Sequence, residues 1–182
     1  MFPWSKAFAA GGLAFSAVSV VALLQRKSPE PVGRVALIGD SYAVGLGPEL
    51  KKLLPDFEYE GREGSNTWQW AHDSGCGRCM SWLASFKPRI VLVSLGTNDG
   101  DSPNIVNYQT IVRRIHGIGA HVLWIEPPAS VDTPSRGIIS SLGVATVPAT
   151  HTQLASDNLH PLSYGAWAKE ISEMVASHWS EL

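Results

Sequence analysis

Val35-Ala36-Leu37-Ile38-Gly39-Asp40-Ser41 runs four apolar residues straight into a glycine, an aspartate and a serine. A short unbroken apolar run bounded by turn residues is the mark of a strand buried on both faces. Such strands belong to parallel α/β sheets, where chemistry collects outside the carboxyl ends of the strands. Ser41 then falls at the strand-to-helix turn. There its hydroxyl is exposed and backbone N–H groups point the same way, a good position for a nucleophile. Asp40 and Ser41 would equally suit a plain helix cap, so the loops further along have to decide.

Downstream of this strand (Arg34–Gly39) the pattern alternates. The sequence predicts a two-glycine loop over 41–47 and a helix from Pro48, with Leu50, Leu53 and Leu54 on one face. A short strand is predicted at Phe57–Glu60, a loop at 61–67, and a helix over 68–86 interrupted near Gly75 and Gly77. Arg89–Leu95 reads as the clearest strand after the first, followed by a polar loop (96–103) and a helix over 105–118. His121–Ile125 reads as a strand that Pro127 and Pro128 stop. A helix over 135–142, a strand at 144–147, a loop over 150–161 and a closing helix over 162–179 complete the chain. Strands alternating with helices imply βαβ units, a parallel sheet and right-handed crossovers.

The 182 residues suffice for one domain with a real core. A net charge of −2 supplies no basic field, which argues against a nucleic-acid partner. Ala7 to Leu24 carries no charge. As a helix it would be about 27 Å long, just short of a bilayer core of about 30 Å. A signal peptide and an uncleaved anchor both fit. The anchor is favoured because no small-x-small cleavage site follows the stretch, which runs straight into Leu24-Gln25-Arg26-Lys27. Basic residues flank both ends, so charge does not fix the orientation. The chain divides into a membrane anchor or signal segment (1–27), a linker (28–33) and a globular domain (34–182). This places the protein at a membrane or exported to the cell envelope.

Three later loops bear on Ser41. Gly96-Thr97-Asn98-Asp99 follows the third strand and places Asn98 at the same sheet edge, where its amide N–H can serve a developing oxyanion. In Asp157-Asn158-Leu159-His160-Pro161 the carboxylate can fold back onto the imidazole Nδ1–H, leaving Nε2 to take a serine proton. Gly61-Arg62-Glu63-Gly64-Ser65-Asn66-Thr67 offers a glycine N–H near the same point. In order and placement these blocks resemble the SGNH, or GDSL-type, hydrolase superfamily, over the chain from about Arg34 onward.

The resemblance implies a flavodoxin-like three-layer α/β/α sandwich with a mostly parallel sheet, here preceded by the N-terminal hydrophobic helix. It implies Ser41 as nucleophile, His160 as base and Asp157 as its orienting partner. The oxyanion hole would comprise Ser41, Gly64 and Asn98, with Gly61 competing for the glycine's role. Tyr42 stands where the family commonly has leucine. No cofactor is needed. The expected activity is ester hydrolysis through an acyl-enzyme, acting on a small acyl group such as acetyl on a carbohydrate or cell-envelope polymer. A lipase or lysophospholipase activity is the alternative, and a non-catalytic binding protein on the same scaffold the second. A histidine base would make activity fall below about pH 6.5.

Other candidates read as structural. His72, Cys76 and Cys79 lack the second half of a zinc site, and a local disulfide is favoured for the C-x-x-C pair. Trp70 and Trp82 read as core, and Trp68 as core or cleft wall. Asp99 and Asp101 read as turn residues, then as substrate contacts. Arg113 and Arg114 read as a solvated helix face. Among the other histidines only His151 shares a loop with His160.

Overall fold

The computed structural model describes residues 33–149 and 153–179. The apolar segment 7–24, the linker up to residue 32 and His151 lie outside the described residues. No described helix is long and apolar enough to cross a membrane.

Five strands form one sheet: β1 (Val35–Gly39), β2 (Phe57–Gly61), β3 (Ile90–Ser94), β4 (His121–Ile125) and β5 (Ala145–Val147). Every pairing is parallel and the spatial order is β2-β1-β3-β4-β5. Between the strands run α1 (Ser41–Leu53), α2 (Thr67–Ala71), α3 (Leu83–Phe86), α4 (Ile105–Gly117) and α5 (Ser135–Ser141), and α6 (Tyr164–Trp179) closes the chain.

Alternate strand residues sort the core into two layers, as a pleated sheet covered on both faces requires. Val35, Leu37, Ile90, Leu92, Leu123 and Ile125 meet α1 and α6 through Leu46, Leu50, Trp167, Ile171 and Val175. Ala36, Ile38, Val91, Val93, Val122 and Trp124 meet the other helices through Trp70, Leu83, Tyr108, Ile111, Ile115 and Ile139. The order reverses between β1 and β3. That is the switch point at which α/β sheets leave a crevice, and Ser41 and Asn98 follow these two strands.

The strands stand within a residue or two of their expected bounds, and two helical segments differ. α1 begins at Ser41 with Pro48 inside it, not at Pro48. Asp40 caps it by accepting from the Tyr42 N–H at 3.0 Å. Gly45 and Gly47 are not loop residues. A Cβ at Gly45 would lie 2.3 Å from the Tyr164 ring, and one at Gly47 2.3 Å from the Tyr59 ring. These glycines let aromatic rings lie flat on the helix.

The predicted helix over 68–86 survives only at its two ends, as α2 and α3. Asp73, Gly75, Gly77 and Cys79 all have positive φ, which no helix accommodates. Cys76 and Cys79 form a disulfide within that turn. Arg114 is not a solvated residue: its guanidinium donates to the carbonyls of Trp70 (3.2 Å) and Ala71 (3.1 Å) and pairs with Asp73 at 2.5 Å. It thereby closes the carboxyl end of α2.

Gly39 is the tightest point in the sheet. A Cβ there would sit 2.2 Å from the Ser94 carbonyl oxygen, which is backbone and cannot swing away. Gly39→Ala is expected to lower unfolding free energy by about 1–3 kcal/mol through overpacking. Gly117→Ala, whose Cβ meets nothing within 4 Å, is expected to be neutral or stabilising by up to about 1 kcal/mol. Urea denaturation of the two variants against wild type checks the contrast.

Candidate active site

Three elements bring the site together. α1 starts at Ser41 immediately after β1, so the nucleophile candidate is fixed by a strand on one side and a capped helix on the other. The loop after β3 carries Asn98 and Asp99. The turn before α6 carries Asp157 and His160.

His160 Nε2 lies 3.0 Å from Ser41 Oγ, and His160 Nδ1 lies 2.7 Å from Asp157 Oδ2. The Asp157 Oδ1 atom accepts from the Leu159 N–H at 3.0 Å and the His160 N–H at 2.9 Å. This wraps the i to i+3 segment into a turn with Asn158 at φ 56°. The His160 ring, followed by the two backbone N–H groups, pushes the Asp157 carboxyl down to about 2. Asp157 is solvent-exposed, so its charge is screened and it orients the ring more than it binds it.

On the other side of Ser41, Asn98 Nδ2 donates to the Ser65 carbonyl at 3.0 Å and to Asp40 Oδ2 at 3.3 Å. Both amide hydrogens therefore have partners in this structure. No hydrogen bond among the described residues uses the N–H of Ser41 or of Gly64. Gly64 sits on the exposed loop beside Ser65 with φ 68° and open space above it. Gly61 differs: it is the last residue of β2, and a Cβ there would lie 2.7 Å from the Val44 backbone nitrogen. Of the two glycines, Gly64 has the free space.

Asp40 is wholly buried, and burial, aided by the Asp99 charge, pushes its carboxyl up to about 7 against the lowering effect of the Tyr42 N–H. Trp68 at the start of α2 is 52% exposed next to the Gly64 loop.

One residue read as a turn residue proves to be a hub. Asp99 accepts from the Thr67 N–H at 2.8 Å, from the Thr67 hydroxyl at 2.9 Å and from the Tyr108 hydroxyl, which in turn is 2.6 Å from Ser135 Oγ. Its carboxylate is spent on joining the loop after β3 to the start of α2, and so aligns Asn98 with Ser65. Turn propensity gave no hint of this, since the partners lie 32 and 9 residues away. Among the described residues no cluster of three or more His, Cys, Asp or Glu is arranged to hold a metal ion.

No family model matches the sequence, and no curated protein matches it either. Solved structures do. A GDSL-like lipase from Bacteroides thetaiotaomicron VPI-5482 superposes with a TM-score of 0.61 at 16% identity, covering 88% of this chain and 96% of that one. The catalytic domain of peptidoglycan O-acetyltransferase A from Streptococcus pneumoniae gives 0.56 at 17% identity, over 82% and 94%. Est24, a carbohydrate acetylesterase from Sinorhizobium meliloti, gives 0.55 at 16% identity, over 81% and 99%.

Because its pKa is raised on folding, Asp40 contributes stability that is present below about pH 4, its unfolded value, and is lost as pH rises through about 7. Asp40→Asn keeps a capping side chain and removes that titration. The variant is expected to gain stability relative to wild type between pH 4.5 and 7.5, as read from urea midpoints. A difference that stays constant with pH would contradict the buried, up-shifted carboxyl. From the likeness to these solved structures over most of the chain, together with its five-stranded parallel sheet, the chain has the fold of the SGNH, or GDSL-type, hydrolases and esterases.

Proposed function

We propose that the protein is a serine esterase that deacylates its substrate through Ser41. The observation that carries this reading is the unbroken line from Asp157 through the His160 ring to Ser41 Oγ, at 2.7 and 3.0 Å. His160 Nε2 takes the Ser41 proton as Oγ bonds to the ester carbonyl carbon. The carbonyl oxygen becomes an oxyanion held by the N–H groups of Ser41 and Gly64 and the Asn98 amide. The intermediate collapses by breaking the bond to the alcohol oxygen, which receives the proton from His160. Water then repeats the cycle on the acyl-enzyme: His160 takes its proton, the acid is released and Ser41 Oγ recovers its proton.

A small acyl group, acetyl above all, on a carbohydrate or cell-envelope polymer is the substrate class we favour. No loop separates β1 from α1, and only residues 62–66 separate β2 from α2, which leaves little chain on that side of Ser41 for a large lid over a long acyl chain. Trp68 beside the Gly64 loop presents an apolar ring face of the kind that packs against a sugar. The structural likeness to a carbohydrate acetylesterase and to a peptidoglycan O-acetyltransferase domain points the same way. The apolar stretch 7–24 would hold such an enzyme at the envelope. A GDSL-like lipase among the similar structures keeps a lipid ester as the second reading.

The full-length chain is expected to hydrolyse p-nitrophenyl acetate faster than butyrate, and butyrate faster than octanoate, with Ser41→Ala silent on all three. Preference for octanoate would shift the substrate class to lipids. A folded wild type no more active than Ser41→Ala would contradict the esterase reading. Asn98→Ala is expected to lose on the order of 10²–10³ in turnover. Because Asp157 keeps its charge down to about pH 2, it is expected to add no step of its own to the rate profile between about pH 4 and 8; a step in that range that disappears in Asp157→Asn would contradict this.

A further inference from the structure

The residue after the nucleophile departs from the leucine common in GDSL-type sequences, and its surroundings explain the tyrosine. Tyr42 is 2% exposed. Its hydroxyl donates to the Leu159 carbonyl oxygen at 2.9 Å, across 117 residues of sequence. Leu159 immediately precedes His160 in the turn that carries the base. The Tyr42 ring stands edge-on to the His160 imidazole, with centroids 6.0 Å apart at 79°, and edge-on to Trp167 at 5.6 Å and 75°. A leucine could fill this space but could not donate to the carbonyl.

The base turn is otherwise bonded to itself. Ala155 N–H donates to the His160 carbonyl at 2.7 Å and Asn158 N–H to the Ala155 carbonyl at 3.0 Å, while Asp157 holds the Leu159 and His160 amides. These bonds set the shape of the turn but not its distance from α1. Among the described residues two hydrogen bonds make that link: Tyr42 to Leu159, and His160 to Ser41. The second exists only while Ser41 Oγ is free. In the acyl-enzyme Oγ is esterified, and His160 has to meet a water molecule. The Tyr42 bond is present at both stages. Burial raises the phenol above its ordinary pKa, so it stays a neutral donor at working pH.

We infer that Tyr42 is a positioning residue for the base. Its hydroxyl holds the Leu159–His160 segment at reacting distance from Ser41 through both half-reactions, and it touches neither substrate nor reacting atoms. The inference rests on the esterase reading above. Three consecutive residues then divide the work: Asp40 binds the Asn98 amide, Ser41 attacks, and Tyr42 fixes the base.

The test uses the full-length chain and p-nitrophenyl acetate, with wild type and Ser41→Ala alongside. Tyr42→Phe is expected to keep the wild-type circular dichroism spectrum and to lose about tenfold in kcat, the range of one hydrogen bond, with KM within twofold. Replacing Tyr42 with 4-aminophenylalanine, which keeps a donor on the same ring, is expected to restore most of the loss. In a His160→Ala background Tyr42→Phe is expected to change the residual rate less than twofold, because nothing is left to position. A Tyr42→Phe kcat within twofold of wild type would overturn the inference, as would an equal loss in the His160→Ala background. Loss of the folded spectrum in Tyr42→Phe would also overturn it, making Tyr42 a support of the fold. An inactive wild type would instead sink the esterase reading itself, which keeps the two failures apart.

Discussion

The site depends on how abruptly β1 ends. Gly39 closes the strand against the Ser94 carbonyl on one side and Gly61 on the other. The next residue is a buried carboxylate and the one after that already belongs to a helix. With no loop between strand and helix, Ser41 has no freedom to wander. The position is held from behind by the Asp40 cap and from below by the core that α1 shares with α6. On the proposed reading, a nucleophile placed in this way needs little reorganisation when it reacts, which is where preorganised sites gain most of their rate.

Two carboxylates flank this serine and their surroundings drive them in opposite directions. Asp40 lies in the interior, and burial raises it to about 7. Asp157 lies in solvent, and the bonds it accepts from the His160 ring and two amides lower it to about 2. The contrast separates their work. Asp157 is a permanent acceptor that keeps the Nδ1–H of His160 in place. Asp40 ties the helix start to the Asn98 amide. Asp99, with its carboxylate bound to Thr67 and Tyr108, joins the loop that carries Asn98 to the start of α2. On the proposed reading the Tyr42 bond to Leu159 does the same for the turn that carries the base.

The parallel sheet was legible in the sequence because its central strands β1, β3 and β4 are buried almost throughout and so read as apolar runs. Ser41, Asn98, Asp157 and His160 were legible because each stands at a strand end or in a short polar turn, where its residue type has few other uses. The start of α1 was not. Gly45, Gly47 and Pro48 look like loop residues, yet the glycines are there to admit the rings of Tyr164 and Tyr59, which come from other parts of the chain. Asp99 and Arg114 were misread for the same reason. Their partners, Thr67 and Asp73, lie 32 and 41 residues away, and only the folded chain brings them together. The 68–86 segment combined helix-forming residues with a C-x-x-C turn, and the four left-handed residues within it overrode the helical pattern.

The central claim is that Ser41 is an activated nucleophile. Its most direct test is treatment of the folded full-length chain with a fluorophosphonate, followed by mass spectrometry of the peptides. The account predicts one adduct, on Ser41, that is absent in Ser41→Ala and formed far more slowly in His160→Ala. A folded protein that takes up no label at Ser41, or labels there equally fast without His160, would contradict it.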